Sequence, residues 1–405
     1  MEPTQHERLR GESLIRVAFA ILLGVSLSPP VTEMFGSGGH RWFRILVVSF
    51  AAAGFLTPLA RGFARSLGHV DLPDPRKIHA RPTPLFGGFA VWAGVLLSLA
   101  VNGIFGRGFE WILAGGTLLF CVGIADEARG IPARLKLLAQ IAAALIVMAG
   151  GGTLTLFPAG ALGTVANHAV TLVWILGITN AMNFIDGMDG LAAGLSTILA
   201  LFLGIVAFQT RQPEFGWFSV AVIGACLGFL PYNFRRGGRP ATVFLGDGGS
   251  TFLGFTLASL AVLGDWADNR PIVSFSNPIL IFGVLIYDMT QTTIARIATG
   301  KVRSFREWLE YTGRDHIHHR FAALLRDRRQ AVFAILLLSV TLGLAALGLR
   351  TAGNREAIFL VLQGALVLVL VTILEQGGKG LLAKSDAPPD SPPSPPDPGT
   401  PPPGA

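Results

Sequence analysis

The chain has 405 residues, of which 51% are hydrophobic and 14% are charged, and its mean hydropathy is +0.56. This composition excludes an ordinary soluble protein, in which about 25% of the residues are charged. The net charge of +7 does not indicate nucleic acid binding, because arginine and lysine concentrate in alternate loops between apolar segments. Basic residues in alternate loops are typical of a multi-pass membrane protein whose basic loops lie in the cytoplasm.

Apolar windows long enough to cross a bilayer recur along nearly the whole chain. In chain order we predict spans at 13–34, 43–60, 85–105, 109–125, 136–157, 166–182, 190–209, 216–233, 249–265, 272–295, 331–349 and 356–374. Pro29 and Pro30 weaken the first span, so eleven or twelve are expected. The predicted fold class is therefore all-α, a polytopic integral membrane protein with about 11–12 transmembrane helices.

Composition divides the chain into four parts. Residues 1–42 form an N-terminal segment with the weak extra span, and we expect a signal anchor or first span there, since no small-residue cleavage site follows. Residues 43–330 carry the polar motifs among transmembrane helices, and residues 331–383 form the C-terminal transmembrane helices. The proline-rich tail, 384–405, cannot form a packed core and is expected to be disordered or PPII-like.

Both cysteines, Cys121 and Cys226, lie inside predicted spans. Free cysteine is among the residue types most often buried in proteins. We therefore expect two buried packing thiols rather than a disulfide or a pair of metal ligands.

Five polar motifs interrupt the apolar pattern, and each follows an even-numbered span. They lie at 71–88, 125–136, 180–190, 232–250 and 313–321. The ends of even-numbered spans share one side of the membrane, and the basic loops mark that side as cytoplasmic. We therefore expect the five motifs to build one site at the cytoplasmic face.

The segment NAMNFIDGMDG places two amides and two carboxylates three residues apart: Asn180, Asn183, Asp186 and Asp189. Polar groups this close to lipid are costly and are usually retained because they line a polar cavity or an ion site. Hard oxygen ligands suit Mg²⁺ or Mn²⁺, which keep several waters and bind substrate phosphates. Helix caps and interhelical hydrogen bonds would explain one such residue, whereas four indicate a divalent metal and a polyanionic substrate.

Two further motifs supply carboxylates. Asp126 and Glu127 are adjacent at the end of a span, where one can bind metal or act as a base while the other orients it. On this motif alone, a solvated helix end paired with Arg129 is an equal alternative. Asp247 in FLGDGGS is flanked by small residues and followed by Ser250 at a predicted helix start, whose N–H groups can donate to phosphate. A capped turn would also explain GDGGS, but its position on the same face as the other acids favours the site.

The basic segments can supply donors to anions. HIHH contains His316, His318 and His319, and a zinc site would need further nitrogen or sulfur ligands, whereas both cysteines lie elsewhere. A phosphate clamp suits these residues better, because histidine and arginine both donate to phosphate oxygens. The segment RKIHARP, with Lys77 and His79, is a similar basic element, although a basic loop alone would indicate only topology.

In this order the motifs resemble the polyprenyl-phosphate N-acetylhexosamine-1-phosphate transferase family (glycosyltransferase family 4) over residues 60–325. The resemblance is carried by DxPxxRKxHxxPxPxxGG, an acidic pair followed by KLLxQ, NxxNxxDGxDGLAxG, FxGDxGS and HIHH. NFIDGMDG and HIHH are closer to the branch that transfers N-acetylglucosamine-1-phosphate than to the translocase of peptidoglycan synthesis. The resemblance implies a catalytic domain at 43–330 in the bacterial inner (plasma) membrane, with its active site on the cytoplasmic face.

Members of this family move a phospho-sugar from a UDP-sugar donor to undecaprenyl phosphate or a similar polyprenyl phosphate, and release UMP. The resemblance implies transfer of N-acetylglucosamine-1-phosphate with Mg²⁺, or alternatively Mn²⁺. UDP-MurNAc-pentapeptide or another UDP-HexNAc is the alternative donor. A homodimer is possible as the assembly. We expect membrane lipid as a partner and no nucleic acid. Two other classes are a polyprenyl synthase and a secondary transporter for an anionic solute. A transporter should place ionisable groups near the bilayer midplane, whereas here they cluster at one face.

Motif by motif, the resemblance also implies roles for single residues. The metal ligands would be Asn183 and Asp247. The catalytic group would comprise Asp126, Glu127, Lys136 and Asp186. Of these, Asp126 would deprotonate or position the lipid phosphate and Lys136 would hold the diphosphate. The remaining implied contacts are Asp189, Asn233 and Phe244 for uracil, and Lys77, His79, His316, His318 and His319 for sugar and phosphate groups.

The sequence departs from the family pattern at two places. Glu127 stands where the family usually has Asp, which moves a carboxylate by one methylene. The segment between Asn233 and Phe244 is longer and more basic than the family pattern. The use of the second acid and the shape of the nucleobase pocket are therefore expected to differ locally.

Overall fold

The computed structural model describes residues 5–36, 39–72, 82–234, 240–266, 271–311, 313 and 315–385. Over these ranges the chain is almost entirely helical, with one two-stranded antiparallel sheet. Two of the predicted site residues, Lys77 and His79, lie outside the described residues, as does the tail from residue 386 onward.

The helices alternate with short turns along the chain. In order they are α1 (Gln5–Leu27), α2 (Pro29–Gly36), α3 (Arg41–Ser66), α4 (Gly87–Val101), α5 (Phe109–Arg129), α6 (Ala133–Ala149), α7 (Ala161–Ile185), α8 (Leu191–Gln209), α9 (Pro213–Asn233), α10 (Gly246–Leu263), α11 (Pro271–Ile281), α12 (Gly283–Ala298), α13 (Phe305–Glu310), α14 (Ile317–Leu325), α15 (Arg328–Thr351) and α16 (Asn354–Ser385). Strand β1 (Val70–Asp71) pairs with β2 (Thr83–Pro84) and links the end of α3 to the start of α4.

Every predicted span contains a helix or a bent pair of helices, which confirms an all-α, polytopic membrane protein. Within the described ranges, seven helices are long and apolar enough to cross a membrane, and two bent pairs raise that number to nine. The bends measure 65° between α1 and α2 and 74° between α11 and α12. The other three predicted spans coincide with α4, α6 and α10. α4 has only 15 residues, about 22 Å of helix against a hydrocarbon core of about 30 Å.

The nine spans in the described ranges are fewer than the expected eleven or twelve because α4, α6 and α10 do not reach the apolar length of a span, and they share a reason for this. α4, α6 and α10 each begin within or beside a polar motif, and α10 carries Asp247 in its first turn. Their polar or glycine-rich first turns shorten the apolar part of each helix. The same turns place the functional groups at the end of the bundle.

Glycines let the central helices approach each other at backbone distance. A Cβ on Gly224 of α9 would lie 2.5 Å from the carbonyl oxygen of Leu46 in α3, and a Cβ on Gly228 would lie 2.9 Å from the Gly54 nitrogen. Small residues at helix contacts are common in membranes, where packing rather than hydrophobic burial drives association. α3 and α9 therefore form a close pair in the middle of the bundle.

The outer helices face away from this core. Most of the leucine, isoleucine and valine side chains described in α16, between residues 355 and 376, are exposed, as expected for a helix that contacts lipid. Cys226 is buried, which confirms one predicted packing thiol, but the prediction is wrong for Cys121, which is exposed on α5. An apolar window in a membrane protein faces lipid as well as core, so apolar neighbours alone do not predict burial.

Candidate active site

The helix ends that carry the polar motifs meet at one end of the bundle. α5, α7 and α9 end there, and α6, α8 and α10 begin there. The structure brings together predicted site residues of three motifs: Asp126, Glu127, Lys136, Asn183, Asp186, Asp189, Asn233, Phe244 and Asp247. The histidine helix α14 packs against the same region, because a Cβ on Gly187 would overlap the ring of His318.

The glycines of two motifs serve helix contact at this site. A Cβ on Gly88 of α4 would lie 2.5 Å from the Cα of Gly249, and one on Gly123 of α5 would overlap the Cα of Gly248. The first turn of α10 is thus wedged between α4 and α5. Because Asp247 belongs to that turn, these contacts set its distance from the acidic end of α5.

Asp126 is held from two sides. Its Oδ2 accepts from Nζ of Lys136 at 2.7 Å, and its Oδ1 accepts from the Ile131 N–H at 2.6 Å. Gly130, with φ of 66°, makes the turn that brings Ile131 back to the carboxylate. The side chain of Lys136 is 39% exposed, whereas that of Asp126 is 10% exposed. Lys136 therefore neutralises Asp126 and stays accessible to an incoming anion.

Glu127 faces α10 rather than Lys136. Its Oε1 accepts from the Gly248 N–H at 3.3 Å, and its Oε2 lies 3.3 Å from Nε2 of His69. The extra methylene relative to aspartate is therefore used to reach the start of α10 and the segment after α3. His69 is not among the residues predicted from the sequence, although its place two residues before the first motif is a signal for it.

Asn183 and Asp247 lie side by side. The Asn183 Nδ2 donates to Oδ1 of Asp247 at 3.1 Å and to Oγ of Ser250 at 3.0 Å. Turning this amide over would present its oxygen to the same point. Asp247 also lies close enough to Asp126 for the two carboxyl groups to interact. Within the described ranges, no three His, Cys, Asp or Glu side chains form a metal-holding cluster by themselves.

Asp186 follows α7 and lies among the other acids. Burial raises the pKa of Asp186 well above its ordinary value, and the nearby charges of Asp247, Glu127 and Asp189 raise it further. The negative charges of these four carboxylates therefore act on one another. A cation or a proton among them would relieve their repulsion.

Asp189 and Asn233 brace the loop before α10. The Oδ2 of Asp189 accepts from the Ala241 N–H at 2.9 Å. Asn233 accepts from the Gly190 N–H at 2.7 Å and donates to the Val243 carbonyl at 3.1 Å, and it is 5% exposed. Both side chains shape the walls of the site through backbone contacts, and their contact with uracil stays a prediction.

Phe244 joins this loop to the start of α4. Its N–H donates to the Pro84 carbonyl at 2.9 Å, and its carbonyl accepts from the Gly87 N–H at 3.0 Å. The ring is partly buried. The residue therefore connects the first motif to the fourth, and its predicted stacking on a nucleobase stays a prediction.

His316 differs from its predicted role as a donor to substrate. It is 5% exposed, and both of its ring nitrogens have partners inside the protein. Nδ1 lies 2.8 Å from Oδ2 of Asp288, and Nε2 lies 3.2 Å from Nη2 of Arg296. In this arrangement the ring has no free N–H for a phosphate or a sugar.

His318 and His319 lie on the next turn of the chain, with ring centroids 4.1 Å apart. Burial, together with the neighbouring His319, lowers the pKa of His318 to about 3. His318 therefore acts as a neutral imidazole against Gly187, whereas His319 is only partly buried. Their predicted contacts with sugar and phosphate groups stay predictions.

Several charged residues that support this segment are not among those predicted from the sequence. They are Asp288, Arg296, Asp315, Arg320 and Glu375. Asp288 was recognisable as a carboxylate inside a predicted span, a placement that marks functional or paired residues. Arg296 and Glu375 each lie one residue beyond the end of a predicted span, where charge is common.

A helical membrane protein with an acidic, lysine-bearing site at one end of its bundle is of the class that handles phosphorylated substrates at a bilayer surface. The sequence profile of glycosyl transferase family 4 matches residues 110–265. The chain belongs to this family, because relatives about 30% identical to it match over most of this chain and most of their own length.

The relatives are named transferases. A probable undecaprenyl-phosphate N-acetylglucosaminyl 1-phosphate transferase of Bacillus subtilis (strain 168) is 33% identical over 84% of this chain and 94% of its own length. A decaprenyl-phosphate N-acetylglucosaminephosphotransferase of Mycolicibacterium smegmatis is 30% identical over 87% and 95%. The undecaprenyl-phosphate alpha-N-acetylglucosaminyl 1-phosphate transferase of Escherichia coli (strain K12) is 29% identical over 71% and 78%.

Proposed function

We propose that the chain transfers N-acetylglucosamine-1-phosphate from UDP-N-acetylglucosamine to a polyprenyl phosphate and releases UMP. The observation that carries the proposal is the meeting of two pairs, Asp126 with Lys136 and Asn183 with Asp247, at one end of the bundle. The relatives named for this reaction match across nearly the whole chain. The matched region includes the helices that carry both pairs.

In the proposed reaction, an oxygen of the lipid phosphate attacks the phosphorus that bears the sugar. The bond from that phosphorus to the bridging oxygen breaks, and UMP leaves with the oxygen and its electron pair. Phosphoryl transfer depends mainly on positioning and on neutralising the charge of the phosphates. Lys136 can pair with the donor diphosphate, which frees the Asp126 carboxylate to position or deprotonate the lipid phosphate.

We assign Mg²⁺, with Mn²⁺ as the alternative, to Asn183 and Asp247. The donor set fits: one amide and one carboxylate lie within hydrogen-bond distance, and the carboxylates around them repel one another. Mg²⁺ is usually held by one or two carboxylates together with substrate phosphates and water. When bound, it would neutralise diphosphate charge beside Lys136.

We place the site on the cytoplasmic face of a bacterial inner membrane. Arg129 and Arg296 lie in the last turns of α5 and α12, at the same end of the bundle as the acids. This agrees with basic segments on the cytoplasmic side. A bilayer-surface site suits a reaction between a water-soluble nucleotide sugar and a lipid phosphate. The acids lie at helix ends rather than near the middle of the helices, which disfavours a transporter.

The test is turnover by the purified protein in detergent with undecaprenyl phosphate, Mg²⁺ and a panel of UDP-HexNAc donors. We expect UMP release and a lipid-linked sugar diphosphate with UDP-N-acetylglucosamine. Preference for UDP-MurNAc-pentapeptide or another UDP-HexNAc would change the donor and keep the reaction. No turnover with any donor would refute the enzyme assignment.

Asp247→Ala tests whether Asp247 is needed for turnover rather than only for the folding of α10. We expect this variant to lose turnover while keeping its elution profile and thermal stability. Asp265→Ala, which removes a carboxylate just beyond the other end of the same helix, is the matched control and should stay active. An active Asp247→Ala variant would remove Asp247 from the metal site.

A further inference from the structure

A buried polar cluster lies beneath the histidine segment and has no role in the reaction described above. Its members are Asp288 and Arg296 of α12, and Asp315 and His316 just before α14. We propose that Asp288 and Arg296 are positioning residues that hold His316 in one tautomer and so fix α14 against the active site. This inference rests on the proposed function, because its test uses the transfer reaction.

The hydrogen-bond partners determine the tautomer. A guanidinium can only donate, so Nη2 of Arg296, 3.2 Å from Nε2 of His316, requires that Nε2 accept. The ring proton must then be on Nδ1, which donates to Oδ2 of Asp288 at 2.8 Å. The other oxygen of Asp288 accepts from the Ile317 N–H at 2.6 Å. A partner on one ring nitrogen commonly sets the tautomer of histidine in this way.

Arg296 is itself fixed. Its Nε and Nη2 donate to the two carboxylate oxygens of Asp315 at 2.8 and 2.7 Å. Its guanidinium also lies 4.5 Å from the ring centre of Tyr311. Bidentate pairing gives geometric specificity as well as energy. Asp288 and Arg296 are 1% and 4% exposed, so neither can exchange its partner for water.

The cluster reaches the active site through His316 and the start of α14. The His316 ring stacks on Phe184, with centroids 5.1 Å apart, and Phe184 follows Asn183 of the proposed metal pair. The Ile317 N–H held by Asp288 belongs to the first residue of α14, which carries His318 against Gly187. A change in the orientation of His316 would therefore move both the end of α7 and the histidine helix.

Asp288→Asn changes the tautomer with little change in shape. The Asn oxygen can still accept from the Ile317 N–H, but its NH₂ group would then face Nδ1 of His316. Nδ1 would have to accept, Nε2 would carry the proton, and that N–H would point at the donor of Arg296. We expect kcat/KM to fall by about ten- to a hundredfold, the loss typical when a partner that orients a metal-ligating histidine is removed.

Arg296→Gln in the Asp288→Asn background provides the discriminating measurement. The Gln oxygen can accept from a protonated Nε2, so the double variant should be more active than the product of the two single losses predicts. Such non-additivity is expected for residues in one hydrogen-bond network. A network that only stabilises the fold would show this non-additivity in the unfolding midpoint and not in kcat/KM of the folded variants. Recovery of kcat/KM should also be absent when His316→Gln is added.

The control and the tautomer are measured separately. Asp327→Asn changes another carboxylate that accepts helix N-terminal N–H groups, those of Arg329 and Gln330, but that has no bond to a histidine in the described structure. Its kcat/KM should equal that of the wild type. Wild-type turnover tests the proposed function first, so its failure is distinguishable from failure of this inference.

Nitrogen NMR of histidine-labelled wild-type protein, assigned with His316→Gln, measures the tautomer without turnover and without the Asp288 variant. We expect a protonated Nδ1 and an unprotonated Nε2 on His316. A protonated Nε2, additive losses in the double variant, or wild-type kinetics for Asp288→Asn would each overturn the proposal.

Discussion

Gly123→Ala tests whether the close contact of α5 with α10 sets the geometry of the site. A Cβ at this position would overlap the Cα of Gly248 and lie 2.8 Å from the carbonyl carbon of Asp247. Both neighbours are backbone atoms of a packed helix turn, so no side chain can rotate away. α5 and α10 must therefore separate where Asp126 faces Asp247.

The size of the effect follows from these distances. Ordinary van der Waals contact begins at 3.4 Å, so the backbones must separate by roughly 1 Å. Overpacking of this kind costs about 1–3 kcal/mol, and the helix preference of Ala over Gly offsets about 1 kcal/mol of it. A 1 Å displacement of reacting groups can cost about a hundredfold in rate. Activity should thus fall much more than stability.

The assay is UMP release with UDP-N-acetylglucosamine and undecaprenyl phosphate, together with the thermal unfolding midpoint. Gly177→Ala is the matched control, because it lies in α7 with nothing within 4 Å of the added Cβ. It should keep wild-type activity and be as stable as the wild type or more stable. Wild-type turnover by Gly123→Ala would refute the argument that this contact sets the distance between the acids.

The remaining predictions concern Lys136 and His318. Lys136→Met leaves Asp126 without its cation, so kcat/KM should fall by about a hundredfold. Arg134→Met, on the exposed side of α6, is the control and should change kcat/KM little. Equal losses in the two variants would contradict a specific role for Lys136. His318 has a pKa of about 3 in the folded protein and about 6.5 when unfolded, so the folded state binds fewer protons. The contribution of neutral His318 to the free energy of unfolding is fully present above pH ~6.5. It is lost as the pH drops toward 3, by at most about 5 kcal/mol. His318→Gln should flatten the dependence of the unfolding midpoint on pH, and an unchanged slope would disprove this.

Hydropathy predicted the helices well because each apolar window had to become a helix to satisfy its backbone in lipid. It predicted the number of spans less well, since α4, α6 and α10 begin at polar motifs that shorten their apolar parts. The bends between α1 and α2 and between α11 and α12 also divide windows that read as continuous. Hydropathy measures apolar length, and it does not measure where a helix breaks.

The polar motifs predicted which segments meet, because alternate loops share one side of a membrane. They could not predict which atoms are already engaged. His316 has the residue type of a phosphate donor, but Asp288, 28 positions earlier, and Arg296 occupy both of its nitrogens. The contact of His69 with Glu127 likewise joins residues 58 positions apart. Such pairings depend on helix packing that no local pattern encodes.

The ion pair between Arg320 of α14 and Glu375 of α16 can form only after the last described helix has been synthesised. Nε of Arg320 lies 3.2 Å from Oε2 of Glu375, and both side chains are largely buried. The ribosome makes α14 well before Glu375, so the guanidinium lacks this partner until α16 has entered the membrane. Chains that stop before residue 375 would keep every predicted catalytic residue. They would nevertheless leave the buried Arg320 guanidinium with one carboxylate neighbour, Asp288 at 3.7 Å, instead of two. The loss would cost up to about 3 kcal/mol, so completion of α16 favours an ordered site.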